Sequence, residues 1–432
     1  MMPDSFILVL EIAVILVVCR VVGFLFSKLN QPRVVGEMFA GILLGPSFLG
    51  WMAPSFSAYV FRAGSLGYLS ALSQVGVVVF MFLVGLSIDP KELRNQGHAA
   101  ILTSHASITA PFLFASLLAV YLYPQLSDCS VSFTNFVMFI GASMSITAFP
   151  VLARILEERS WLNSRLGTVV IACSAINDAT GWCILAYILA MVRAAHRHAS
   201  ISVTIGALIA FVLLMIYVAK PLLRGFERVY QDRGHLSEEL LALMILLLLG
   251  SALFTEWIGV HLLFGSFLLG ASMPKHTEFV RYVVAKFETV TVTLLLPLFF
   301  ALTGLRTNIT LVKGPEMWID CLMIIFVATL GKLGGTTLAC WTTGMRLREA
   351  TGVGVLMNTR GLMELIILNI GLDIKVISPA LFSMMVLMAL TTTLMTAPLL
   401  SLICPDRIFL REVHSARKQI GLDGLQPEPR AS

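Results

Sequence analysis

Charge is scarce in this sequence. Asp, Glu, Lys and Arg make up only 13% of its 432 residues, where a soluble domain carries about 25%. Hydrophobic residues make up 57%. A single globular core could not hide so much apolar surface from water, so an ordinary soluble protein is excluded and lipid is the solvent that fits. Cysteine offers no framework either. Cys19, Cys129, Cys173, Cys183, Cys321, Cys340 and Cys404 are scattered without any CxxC spacing, and they read as small apolar fillers. A P-loop, a GxGxxG after a strand, an HExxH and any Cys/His metal spacing are all missing. ATP hydrolysis and dinucleotide binding are thereby excluded, and neither an enzyme activity nor a cofactor is expected.

Long apolar runs are abundant. A bilayer-spanning helix needs roughly 20 such residues, and thirteen candidate spans can be placed. They run approximately Ile7–Phe26, Val34–Leu49, Leu66–Ile88, Ala99–Leu122, Phe133–Leu156, Leu166–Val192 and Ile201–Leu223. The remainder are Glu239–Trp257, Val260–Met273, Phe287–Leu305, Trp318–Thr343, Thr351–Leu372 and Ala380–Ile403. The chain is therefore expected to be an all-α, polytopic membrane protein whose main partner is the lipid bilayer. The first run has no basic leader and no small-residue cleavage site, so it reads as a retained span. Most of the 30 Lys and Arg residues fall in alternate loops, among them Lys28, Arg33, Lys91, Arg94, Arg224, Arg228, Arg346 and Arg348. The positive-inside rule then puts the N-terminus outside and the C-terminus in the cytoplasm. This distribution also explains the net charge of +5 without any nucleic-acid partner.

The two halves of the sequence echo each other. Ala40-Gly-Ile-Leu-Leu-Gly-Pro-Ser47 in span two parallels Gly265-Ser-Phe-Leu-Leu-Gly-Ala-Ser272 in span nine. Phe80-Met-Phe-Leu-Val-Gly-Leu86 in span three parallels Phe299-Phe-Ala-Leu-Thr-Gly-Leu305 in span ten. Matches in order and seven spans apart point to six-helix repeats of opposite orientation, 5–193 and 238–405, joined by a linker helix at 201–223. Together they form one transmembrane domain over 1–406, followed by a short cytoplasmic tail at 407–432. Inverted repeats are a transporter signature, with the substrate site where broken helices of the halves meet.

The polar residues inside the spans carry the chemistry. Span six holds Asn177-Asp178 near the bilayer centre, where an unpaired Asp costs about 2.5–3.5 kcal/mol. A partner, a proton or a bound cation must offset that cost, and a carboxylate with alternating guests is what an exchanger requires. Span five holds Ser143-Met-Ser-Ile-Thr-Ala-Phe-Pro150. Pro150 removes a helical donor and clashes with the carbonyl four residues back, which would free carbonyls around Ser145, Ile146 and Thr147 for a dehydrated cation. Span twelve holds Asn358-Thr359-Arg360-Gly361 and then Glu364. Arg360 and Glu364 are four apart and share a helical face. A structural ion pair and a contact with substrate both fit them, and Arg360 is placed to offset the carbonyl end of a half-helix. In span eleven, glycines flank Lys332 and allow close helix approach, so that its ammonium reaches Asp178. Glu11, Arg20 and Glu37 read as structural pairs.

Gly36-Glu37, Gly45-Pro46, Thr147-Ala-Phe-Pro-Val-Leu-Ala-Arg154, Asn177-Asp178, Gly331-Lys332 and Asn358-Thr-Arg-Gly361 together resemble the sodium/hydrogen exchanger superfamily. The likeness is to its second monovalent cation:proton antiporter family, which includes plant cation/proton exchangers and bacterial potassium-efflux antiporters. The resemblance implies a homodimerising scaffold domain (spans one to three and eight to ten). It also implies a mobile core domain (spans four to six and eleven to thirteen) with crossed discontinuous helices from spans five and twelve. By position, Asp178 would carry cation and proton, Asn177 and Thr147 would assist it, and Lys332 would be the competing ammonium. Electrogenic relatives have a second Asp where this chain has Asn177, which favours electroneutral exchange. The residues leave sodium and potassium both open. They also leave room for an organic-anion symporter on the same fold, or for a channel-like or sensing membrane protein.

Overall fold

The computed structural model describes residues 4–29, 31–87, 98–127, 131–159, 161, 164–197 and 201–404. The expected tail and the loop charges Lys91 and Arg94 lie outside these residues. Among those described, every regular element is a helix. Ten helices are long and apolar enough to cross a bilayer, and they occupy spans one to four, six to eight, ten, eleven and thirteen. Span twelve is a broken pair, Leu347–Met357 and Leu362–Asp373, bent by 43°. Spans five and nine hold the shorter apolar helices Phe133–Ser145 and Leu262–Ser272. The protein is a multi-pass integral membrane protein.

Helix and apolar run part company at span seven. The helix continues through Lys220–Arg233, ten residues beyond the expected end at Leu223, and stops only where Gly234 adopts φ 71°. Charged residues in this stretch favour helix as strongly as apolar ones do, so hydropathy alone ends the span too early.

The sequence echo between the halves has a counterpart in packing. Span two lies on span ten so closely that a Cβ on Gly45 would stand 2.2 Å from the Gly304 carbonyl oxygen. Span three lies on span nine in the same way, a Cβ on Gly270 falling 2.1 Å from the Phe82 carbonyl oxygen. In the aligned motifs Gly45 matches Gly270 and Gly304 matches Gly85, so both crossings use corresponding glycines, although Gly270 faces Phe82, whose counterpart is Ala301, about one turn from Gly304. Small residues at crossings are how membrane helices gain van der Waals contact when lipid removes the hydrophobic drive between them. Polar groups close the ends of both crossings. Lys275 donates to the carbonyls of Gly85, Leu86 and Gly270 at 2.9, 2.9 and 3.0 Å, while Ser47 bonds the Thr307 carbonyl at 3.0 Å.

One of the expected structural pairs forms. Arg20 lies 3.9 Å from Glu37. Glu11 instead accepts a 2.5 Å bond from Ser65, at the start of span three.

Candidate functional site

Span five stops at Ser145, runs extended through Ile146 (φ −81°, ψ 142°), and resumes as the helix Phe149–Glu158. Pro150 falls in the first turn of that second helix. It does not kink a continuous helix from within, as its residue type alone suggests. In a first turn the missing N–H forfeits no bond, so the proline marks a start. The carbonyls that lose their helical partners are consequently those of Ser143, Met144 and Ser145, two residues earlier than expected.

Span twelve breaks over Asn358, Thr359, Arg360 and Gly361. The two breaks cross. The Ala148 N–H donates to the Thr359 carbonyl at 3.0 Å, and the Thr147 hydroxyl donates to the Met357 carbonyl at 3.0 Å. Gly361 is required by closeness, since a Cβ there would meet Val151 Cγ2 at 2.9 Å. Thr393 of span thirteen accepts from the Arg360 N–H at 3.0 Å, and Thr359 lies 3.4 Å from the Thr396 hydroxyl. Irregular backbone at this depth survives only when protein satisfies it in this manner.

Two cations close the exposed carbonyl end of the first half-helix in span five. Arg360 donates to Met144 O at 2.6 Å and to Ser143 O at 3.4 Å, and reaches Glu364 at 3.4 Å. Lys332 donates to Ser145 O and, at 2.9 Å, to Ser107 O of span four. A helix C-terminus carries about half a negative charge, so both cations sit where the backbone field favours them. Lys332 itself lies on a π turn, Leu330–Gly334. That turn packs against span four, where a Cβ on Gly331 would be 2.7 Å from Pro111 Cα. Single π turns often sit at functional positions in helices.

Asn177 joins the two centres. With its amide oxygen toward Lys332, it accepts from the ammonium at 2.9 Å and from the Ser107 hydroxyl at 2.9 Å, and it donates to Ser145 O at 3.3 Å. That orientation is the physical one, because an ammonium only donates. Asp178 is 1% exposed, and among the described residues neither carboxyl oxygen has a hydrogen-bond partner. The expected direct contact from Lys332 is not made; Asn177 and two backbone carbonyls hold that ammonium instead. Thr147, Ser145, Asn177, Lys332, Arg360 and Glu364 are all at most 1% exposed, so the sequence-picked residues do converge on one buried centre.

Ser107, Thr393 and Thr396 were not picked out by sequence reasoning. Each is one hydroxyl among several, Ser107 near Thr103, Ser104, His105 and Thr109, and the two threonines near Thr391 and Thr392, and only the crossing of the helices singles it out.

A cleft opens between spans three, nine, ten and twelve. Ser73, Gln74, His261, Arg306, Asn369 and Asp373 line it. Arg306 pairs with Asp373 at 2.8 Å and bonds Asn369 at 3.1 Å, tying span ten to span twelve. Asp178 does not line the cleft.

Crossed interrupted helices around a buried carboxylate, in a bundle whose halves repeat one packing motif, define a membrane transporter of the secondary type. Residues 12–402 match the family described as sodium/hydrogen exchanger, transmembrane. The chain belongs to that family. It is 40% identical over 396 residues to the Na(+)/H(+) antiporter NhaS4 of Synechocystis, an alignment covering 91% of this chain and 96% of that protein. It is 38% identical over 393 residues to Cation/H(+) antiporter 17 of Arabidopsis thaliana. There the match takes in 91% of this chain but only 48% of the plant protein, so the chain spans about half of that relative. Among solved structures it resembles the sodium proton antiporter MjNhaP1 of Methanocaldococcus jannaschii, with a TM-score of 0.66 at 15% identity over 94% of this chain and 99% of that one. The fold is shared.

Proposed function

We propose that the protein exchanges a monovalent cation, sodium or potassium, for protons by alternating access, with Asp178 as the carboxylate that both guests share. The observation that carries this reading is the state of that side chain. In a buried cluster where Lys332 and Asn177 are bonded on every side, both Asp178 oxygens lack a partner among the described residues. An ionised carboxylate in that position is costly, and either a proton or a cation removes the charge. Because one carboxylate holds one guest at a time, loading by one requires release of the other. The bare carboxylate resists transfer through a low-dielectric interior, so the protein changes sides only when loaded. Exchange follows from those two conditions alone.

In this reading spans four to six and eleven to thirteen move as a core against a scaffold of spans one to three and eight to ten. The cleft beside Arg306 then lies on the outer face, with the N-terminus outside and the C-terminus in the cytoplasm. Two chains pair through their scaffolds as a homodimer in a bacterial inner or plasma membrane. Asn177 in place of a second carboxylate supports electroneutral, one-for-one exchange, and Arg360 with Glu364 stabilises the broken helices and touches no substrate.

The test is transport in proteoliposomes carrying a pH-reporting dye, comparing sodium with potassium. Asp178→Asn is expected to abolish the cation-driven pH response while the protein elutes as a folded species in detergent. Wild-type exchange by that variant refutes the proposal. Uptake of a labelled organic anion, with no cation-driven pH response, would assign a different transporter.

A further inference from the structure

Trp182 lies four residues after Asp178 in the continuous helix Arg165–Arg197, on the same face and one turn on. In a helix the Cα–Cβ bond tilts toward the N-terminus, so the Trp182 side chain leans back over the turn that carries Asp178. The indole is 3% exposed, and its Nε1 has no hydrogen-bond partner among the described residues. Buried tryptophan nitrogens usually find an acceptor. Here the orphan donor and the two orphan carboxyl oxygens of Asp178 stand on one helical face. Nor does the ring float free: it stacks on Phe267 of span nine, with centroids 6.4 Å apart and planes inclined by 26°. Next to it, Gly181 abuts Ile146 of the first break, where an added Cβ would fall 2.7 Å from the Ile146 side chain. Trp182 is therefore held beside the interrupted helix on one side and by a scaffold helix on the other.

We infer that Trp182 is a positioning residue for the exchange reaction, its indole N–H serving the ionised, empty Asp178 carboxylate through one bridging water. A donor can serve that carboxylate only while the guest is absent; a proton or a cation on the oxygens displaces the water and leaves the indole to its stacking. The N–H thus stabilises the empty state and weakens the hold on both guests alike, which favours release. The charged group whose field reaches the carboxylate is Lys332 on span eleven, and around that ammonium stand Arg360 and Glu364 on span twelve and Cys173 on the same helix as Asp178. None of them is substituted in the comparison below, so the change on replacing Trp182 isolates the indole.

This inference rests on the exchange reading, and the experiment separates the two. Trp182→Phe keeps an aromatic ring on Phe267 and removes the N–H together with the bulk of the second ring. At alkaline pH its apparent KM for the driving cation should fall about tenfold, the equivalent of one hydrogen bond to a charged group, and its half-maximal activity should move to higher pH. Trp182→Ala also loses the stacking and should lose turnover. If Trp182→Phe matches wild type in KM and pH profile while Asp178→Asn is inactive, the indole N–H has no such role and the inference fails alone. If Asp178→Asn still exchanges, the functional reading itself fails. A second measurement needs no Trp182 variant. Indole 15N resonances of the six tryptophans are recorded in proteoliposomes with and without sodium or potassium. One resonance should shift on adding cation in wild type and stay fixed in Asp178→Asn; the absence of any such resonance overturns the inference.

Discussion

Consider replacing Arg360 by methionine, a side chain of similar reach that fills the same space without charge. Arg360 is fully buried and holds three acceptors: Met144 O at 2.6 Å, Ser143 O at 3.4 Å and Glu364 Oε1 at 3.4 Å. Hydrogen bonds between membrane helices average about 0.6 kcal/mol and reach about 1.7, so the two carbonyl bonds contribute about 1–3 kcal/mol. The larger loss is Glu364, which is 1% exposed and would be left as a buried charge without its partner. Breaking a buried pair from one side costs about 3–5 kcal/mol. Arg360→Met should therefore destabilise the protein by at least about 3 kcal/mol. Adding Glu364→Gln to it should return about 2 kcal/mol, because the stranded charge is then gone while the carbonyl bonds are still missing. SDS-induced unfolding in mixed micelles reads both free energies, and the double-mutant cycle isolates the pair. A single variant within about 1 kcal/mol of wild type would refute the reasoning. So would a double variant no better than Arg360→Met, since the pair would then contribute nothing of its own.

Two further outcomes follow from packing and surface electrostatics. Gly304→Ala should cost about 3 kcal/mol, the upper part of the usual overpacking range, because the new Cβ would lie 1.9 Å from the Gly41 backbone and backbone cannot swing aside; unchanged unfolding of this variant would contradict the helix crossing. Arg306→Gln should act mildly. The Arg306 and Asp373 side chains are 28% and 52% exposed, so the pair contributes about 0–1 kcal/mol and weakens with salt. Its loss should alter the exchange rate by no more than about fivefold, with the difference shrinking at high ionic strength. Complete inactivation would place Arg306 in the ion path instead of at its rim.

The legible part of this molecule is the part set by solvent. Apolar runs must be helices in lipid because no other open structure satisfies its backbone there, and each of the thirteen expected positions holds a helix among the described residues. The breaks were legible for a related reason. Polar and glycine-containing stretches such as Ser145–Thr147 and Asn358–Gly361 have no cause to sit mid-membrane unless the backbone itself is in use. What the residues did not disclose is how the cluster divides its donors. Lys332 and Asp178 have opposite charges at matching depth, and charge alone pairs them. The structure assigns the ammonium elsewhere because an exposed helix C-terminus offers the carbonyl Ser145 O, span four offers Ser107 O, and Asn177 adds a third oxygen. A flexible carboxylate must compete with three acceptors already in place. Their positions depend on where the half-helix ends, and that depends on Pro150 being a start and not a kink. One residue's shift in that reading moves the carbonyl end by a third of a turn, and with it the partner of every cation in the site. Which groups are buried together can be read from a sequence like this one; which of them touch is decided by backbone ends that only the fold locates.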